Sequence, residues 1–180
     1  GFGSILLLMT VIGGFAAREF SNINEDLEFL HTKFIPSTQW GHDMFDQMNV
    51  AARVVRNAAL MGDKEQAQKE LERLAETKQI ADASIAKLNE AAISDAEKAD
   101  VANVTETRNK FRETQQKLVK LILESKSKET LDFMLTEMRT AQNDYMKASR
   151  SLIDHRIKTM DDLIDHIEEQ GSFTTKLIVI

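Results

Sequence analysis

Between Asp63 and Gln170 the chain runs for 108 residues without a glycine or a proline. At an average usage of roughly 12% for the two together, about 13 would be expected there. Tight turns and strand connections consume both residues, whereas helix interiors exclude them. The whole 180-residue chain holds seven glycines and one proline, all at or before Gly62 except Gly171. An α/β fold with phosphate-cradling glycine loops is thereby excluded, and the expected fold class is all-α. The length suggests one domain, or at most two small ones. With 23 Lys+Arg against 29 Asp+Glu, the net charge of -6 argues against a nucleic-acid partner, which demands a basic face. No cysteine is present, so disulfides, thiolate metal sites and cysteine nucleophiles are all excluded.

Three breaks divide the chain. Gly62-Asp63 reads as a helix stop and a new start, with Gly62 at C′, Asp63 as N-cap and Gln66 at N3. Ser94-Asp95-Ala96-Glu97 reads as a capping box. Ser125-Lys126-Ser127-Lys128 is a polar break with Ser127 as N-cap. Four helices follow, over 18–61, 64–92, 95–125 and 128–172. Short loops make neighbours antiparallel, which predicts an up-down-up-down four-helix bundle. Pro36 and Gly41 are expected to kink the first helix.

The ends are apolar. Residues 1–17 carry no charge before Arg18-Glu19. They read either as the end of a membrane span, which needs about 20 apolar residues, or as a signal-peptide core with Gly14-Phe15-Ala16 as its cleavage site. Leu177-Ile178-Val179-Ile180 at the other end favours the first reading, as the opening of a second span. The expected organisation is therefore the end of a first transmembrane span at 1–17, an extracytoplasmic bundle at 18–174 and the start of a second span at 175–180. The first and last helices of the bundle continue into the spans, and the membrane is a partner.

Apolar stripes at i, i+3/i+4 spacing run through Ala67, Leu71, Leu74, Ala81, Ile85 and Leu88. Val101, Val104, Phe111, Leu118 and Ile122 form a second stripe, and Leu131, Met134, Leu135, Met138, Tyr145 and Leu152 a third. Polar residues interrupt them: Thr77 and Lys78, then Thr105, Arg108, Arg112 and Gln115, then Gln142. Thr77 stands 14 residues past Asp63, Arg112 stands 14 before Lys126, Gln142 stands 14 past Lys128, and Asn49 stands 14 before Asp63. At 1.5 Å per residue all four lie about 21 Å from the distal tip, with Arg108 and Tyr145 about one turn further. The misfits thus form one layer. An unpartnered buried arginine costs several kcal/mol. Either a structural network answers it, such as a neighbouring Glu, or a pocket is left for an anion. In the second case Arg108 and Arg112 offer forks for a carboxylate, and Thr105, Thr77, Gln142, Tyr145 and Asn49 supply neutral hydrogen bonds. Arg53, Arg56 and Asn57 form a second cluster nearer the tip. It is either solvated surface or, where first helices meet in a dimer, a four-arginine site that calls for an anion.

This layout resembles the periplasmic four-helix-bundle ligand-binding domain of bacterial chemoreceptors, the methyl-accepting chemotaxis proteins of aspartate-receptor type. The resemblance covers the whole chain. It rests on the span–bundle–span order, the helix lengths and Ala52-Arg53-Val54-Val55-Arg56-Asn57-Ala58-Ala59. It implies a sensor domain in the periplasm on the inner membrane, a small carboxylate ligand, a homodimer, and a signal carried by helix 4 to a cytoplasmic module. It implies no catalysis and no cofactor. The family's ligand-gripping arginine trio falls on Met48, Arg53 and, one residue closer, Arg56. The opening of helix 4 offers Ser127 and Thr130 without the family's tyrosine. These departures point away from aspartate and toward a different organic acid, aliphatic or aromatic.

Sensor histidine kinases and diguanylate cyclases carry similar bundles, and a purely structural bundle is a further reading. The latter predicts apolar residues where Arg108 and Gln142 stand. A di-iron bundle requires Glu-x-x-His pairs, and none of His31, His42, His155 and His166 follows a glutamate by three.

Overall fold

The computed structural model describes residues 2–178, and no strand occurs among them. Helix α1 spans Phe2–Leu60. Helix α2 consists of Lys64–Leu71 and Leu74–Ala91, separated by a turn at Glu72 and Arg73. Helix α3 is Asp95–Leu123. Helix α4 opens with Ser127–Phe133 and continues through Arg139–Ile178.

The helix ends show which local chemistry holds. Asp63 has an extended backbone and its side chain accepts from the Gln66 N–H at 2.8 Å, which starts α2. Ser94 forms the full capping box: its hydroxyl accepts from Glu97 N–H, and Glu97 Oε2 accepts from Ser94 N–H and Ile93 N–H. Two expectations are corrected. Gly62 does not adopt a positive φ. The α1 stop is instead made by Met61 N–H donating to Asn57 O and Ala58 O, followed by the extended Asp63. Ser127 is the first helical residue of α4, and Lys126 precedes it without a side-chain cap. The left-handed position in this break is Ser125, with φ 56°. Ser125 N–H donates to Ile122 O and Lys126 N–H to Leu121 O, the two bonds of a Schellman stop.

Two π-helical turns interrupt the long helices, at Leu30–Phe34 in α1 and at Met134–Met138 in α4. The first precedes Pro36, whose missing N–H would otherwise have bonded one turn back. Ile35 N–H reaches Leu30 O instead, so the proline is absorbed by a widened turn. Gly41 is helical and buried. A Cβ there would lie 3.0 Å from Ile153 Cγ1, so its role is close approach of α1 to α4 rather than a kink.

The chain divides into two compact units. The larger, Ser37–Asp154, is a four-helix bundle. Arg112 meets Lys78 and Arg108 meets Asp82, so α2 and α3 run antiparallel. Gly41 meets Ile153 while Arg56 shares a groove with Met138, which makes α1 and α4 antiparallel as well. Asn57 reaches Glu70 between α1 and α2, and Phe111 meets Tyr145 between α3 and α4. Its core contains Met44, Val54 and Val55 from α1, Leu71, Ile85 and Leu88 from α2, Val101, Val104 and Leu118 from α3, and Met138 and Leu152 from α4. Each such large side chain contributes roughly 1.5–3 kcal/mol by burial. The expected stripes of α2 and α3 are all buried or half-buried. In α4, Leu131 and Leu135 are 52% and 56% exposed and leave the predicted stripe. The π-turn inserts one extra residue before Met138, so the inward positions ahead of it shift to Thr130 and Met134.

The smaller unit comprises Gly1–Pro36 and His155–Ile180. Phe15 and Phe173 meet edge-on at 6.2 Å, and their neighbours Ala16 and Thr174 are buried, small side chains where α1 and α4 approach. Phe2, Ile5, Leu6, Leu7, Met9 and Val11 are exposed. Helix α1 is long and apolar enough to cross a membrane. Of the expected spans at 1–17 and 175–180, Gly1, Val179 and Ile180 lie outside the described residues.

Candidate ligand-binding site

A cavity of about 370 Å³ opens inside the larger unit, with walls from all four helices. Gln47, Met48 and Ala51 come from α1, and Leu74, Thr77, Lys78 and Ala81 from α2. Arg108, Phe111, Arg112, Gln115, Gln116 and Val119 come from α3, and Tyr145 from α4. The arginines stand on α3 at i and i+4, so both guanidiniums share one face. Phe111 between them packs its ring 5.7 Å from that of Tyr145.

The polar end has a definite electrostatic arrangement. Arg108 Nη1 lies 2.7 Å and Arg112 Nη2 2.9 Å from the same oxygen, Asp82 Oδ1. Arg112 Nη2 also donates to the Lys78 carbonyl at 3.2 Å. The two arginine side chains are 15% and 20% exposed, so their charges are largely removed from water. Burial pushes the Arg108 guanidinium down, and Arg112 pushes the same way against the opposing pull of Asp82 and Tyr145. Burial pushes the Tyr145 phenol up, against Arg108 and Arg112, so it stays a neutral hydrogen-bond donor.

Three buried donors on these walls have no partner: Arg108 Nε, Gln115 Nε2 and Tyr145 Oη. Buried polar atoms are normally satisfied, and an orphan costs about 1–3 kcal/mol. Here three such donors occur on residues of one cavity, which therefore suits a ligand rich in acceptors.

The expected layer separates into parts. Arg108, Arg112, Thr77 and Tyr145 line the cavity together. The Thr77 hydroxyl donates to Leu74 O, which leaves it an acceptor toward the cavity side. Thr105 lies beside Asp82 and Arg108 in a separate groove between α2 and α3, its hydroxyl donating to Val101 O. Asn49, Arg53, Arg56 and Gln142 meet on a different face, between α1 and α4. Asn57 is exposed, and its Nδ2 donates to Glu70 Oε1 at 3.2 Å, tying α1 to α2. Met48, where the resemblance places the first arginine of the trio, is 2% exposed and faces the cavity, whereas Arg53 and Arg56 are exposed.

Sequence reasoning missed Asp82, which pairs with both arginines from the adjoining α2–α3 groove, and named Gln115 only as a polar interruption of its stripe. In the structural-network alternative the partner of Arg108 was a glutamate, and the structure supplies an aspartate. A signal for Asp82 exists: it stands 19 residues past Asp63, and Arg108 stands 18 before Lys126, so the two share a height. No group of three or more His, Cys, Asp or Glu suited to a metal occurs among the described residues.

The chain belongs to the family described as four helix bundle sensory module for signal transduction, the chemoreceptor type, whose model matches residues 1–170. That family is a sensory module rather than a catalytic domain. No curated protein matches the chain.

Proposed function

We propose that this chain is the ligand-binding sensor domain of a transmembrane chemotaxis receptor and that its bundle cavity takes a small organic acid as a carboxylate. The observation that carries this reading is the set of unpartnered buried donors, Arg108 Nε, Tyr145 Oη and Gln115 Nε2, on one cavity beside two arginines. A carboxylate accepts from a guanidinium fork and from a phenol, and desolvated arginines strengthen those bonds. The cavity volume lies within the range of small-molecule sites.

The signal requires a ligand that binds one helix arrangement more tightly than another. Tyr145 is the α4 residue on the cavity, so the ligand pulls on α4 through that phenol, and α4 carries the displacement through the membrane to a cytoplasmic signalling module. The exposed Phe2, Ile5, Leu6, Leu7, Met9 and Val11 of α1 support a membrane anchor, and the proposed receptor holds the bundle on the periplasmic side. The protein acts as a homodimer, in which Arg53 and Arg56 of two α1 helices face one another.

Calorimetry and thermal-shift screening of organic acids and amino acids test the reading. A binder whose affinity falls at least tenfold in Arg108→Ala and is retained in Arg53→Ala supports the bundle cavity. Loss in Arg53→Ala alone moves the site to the α1–α4 face. Unchanged affinity in both overturns the site, and no binder in a broad panel overturns direct sensing.

A further inference from the structure

The cavity has two chemically distinct ends. At one, Arg108 and Arg112, paired with Asp82 from the adjoining α2–α3 groove, stand with the Tyr145 phenol. Two guanidiniums against one carboxylate leave a single positive charge. Lys78 also lines the cavity, but its side chain is exposed, so solvent screens its charge, and Arg112 contacts its backbone carbonyl. Toward the tip the lining becomes Ala51, Leu74 and Val119, with amides from Gln115 and Gln116 and no cation among them, while Met48 packs at the height of Arg112.

From this division we infer that the cavity selects monocarboxylates carrying an apolar body, aromatic or branched aliphatic, over dicarboxylates; the inference rests on the carboxylate reading above. One carboxylate neutralises the charged end and meets the orphaned Arg108 Nε and Tyr145 Oη. A second carboxylate on the same small molecule has to lie among Ala51, Leu74 and Val119. An unpaired charge in such surroundings costs several kcal/mol. An apolar body there instead gains roughly 25 cal/mol for each Å² removed from water. Asp82, from the adjoining α2–α3 groove, already neutralises one of the two arginine charges, so a second ligand carboxylate finds no counter-charge of its own, and Asp82 acts as a built-in discriminator against dianions.

The test is calorimetry on the full 180-residue chain in detergent, with benzoate and 4-methylpentanoate against succinate. The expected result is at least tenfold tighter binding of the monocarboxylates, with binding lost in Arg108→Gln. Equal or tighter binding of succinate overturns this inference and leaves the carboxylate reading standing. If none of the three acids binds, this inference falls, and the broad screen above decides the wider reading. Asp82→Asn provides a second measurement, because it raises the local charge from one to two. Succinate is then expected to gain at least tenfold relative to benzoate. An unchanged ratio overturns the role given to Asp82.

Discussion

Arg108 Nη1 stands 2.7 Å from Asp82 Oδ1, yet Asp82 Oδ1 accepts no hydrogen bond. Arg112 approaches the same oxygen at 2.9 Å, and its Nη2 donates instead to the Lys78 carbonyl. The α2–α3 tie is thus held by charge without the directional bond that makes a buried ion pair strong. Such a tie holds two arginines together while leaving their hydrogen-bonding capacity to a ligand.

Removing that counter-charge has a predictable cost. Asp82→Asn leaves two guanidiniums facing each other. Because Asp82 is 38% exposed, solvent screens the pair, and the expected destabilisation is about 1 kcal/mol rather than the larger loss of a fully buried bridge. The loss is expected to shrink as salt is raised from 0.05 to about 0.5 M, since screening shortens the range of the repulsion. Urea unfolding at the two ionic strengths measures both. A loss independent of salt means that Asp82 acts through packing.

Tyr145→Phe separates stability from binding. The phenol is 2% exposed and its oxygen has no partner. Deleting an unsatisfied hydroxyl removes a penalty while keeping the ring against Phe111. The empty protein is expected to be unchanged or more stable by up to about 1 kcal/mol. A carboxylate ligand is expected to lose about five- to tenfold in affinity, the worth of one hydrogen bond. Thermal unfolding with and without ligand reads both numbers. A large loss of stability without ligand means that the hydroxyl has a structural partner.

Ser125 offers a purely conformational test. It occupies the left-handed position of the α3 stop at φ 56°, where a Cβ is strained by about 1–2 kcal/mol. Ser125→Gly relieves that strain and returns part of the gain to a freer unfolded chain. The expected net effect is a stabilisation of about 0.5–1 kcal/mol with ligand affinity unchanged. Denaturant unfolding checks it, and destabilisation would show that the serine side chain holds the turn.

How far these features were readable from residues alone follows from what a helix transmits. Rise per residue is fixed, so the heights of Arg108, Arg112, Thr77 and Tyr145 follow from counting, and these four do share one cavity. Height says nothing about azimuth across helices. Gln142 and Asn49 stand in the same layer but turn to the α1–α4 face. The Asp63 and Ser94 starts were legible because a side chain three residues from an orphan N–H makes a local bond. The π-turns were not, since one inserted residue leaves composition unchanged while it moves Leu131 and Leu135 outward. Asp82 escaped because a half-exposed aspartate looks like any solvated position until its height is compared with that of Arg108.

Acid is expected to loosen the α1–α2 clasp near the distal tip. Asn57 of α1 donates to Glu70 of α2 at 3.2 Å, and Arg73 bonds the same Oε1 at 2.9 Å. Asn57 first, and then Arg73, hold the Glu70 carboxyl below its usual range, with burial opposing them. A carboxylate whose folded pKa is depressed contributes stability that is present above its unfolded pKa. That contribution is lost as pH falls through the unfolded value and on through the lower folded one. The Asn57 side-chain amide resonances report the clasp directly. They are expected to shift with an apparent pKa below that of a free glutamate, and Glu70→Gln is expected to abolish the titration. A titration at or above the ordinary glutamate value overturns the clasp, because it means that the charged form gains nothing from Asn57 and Arg73.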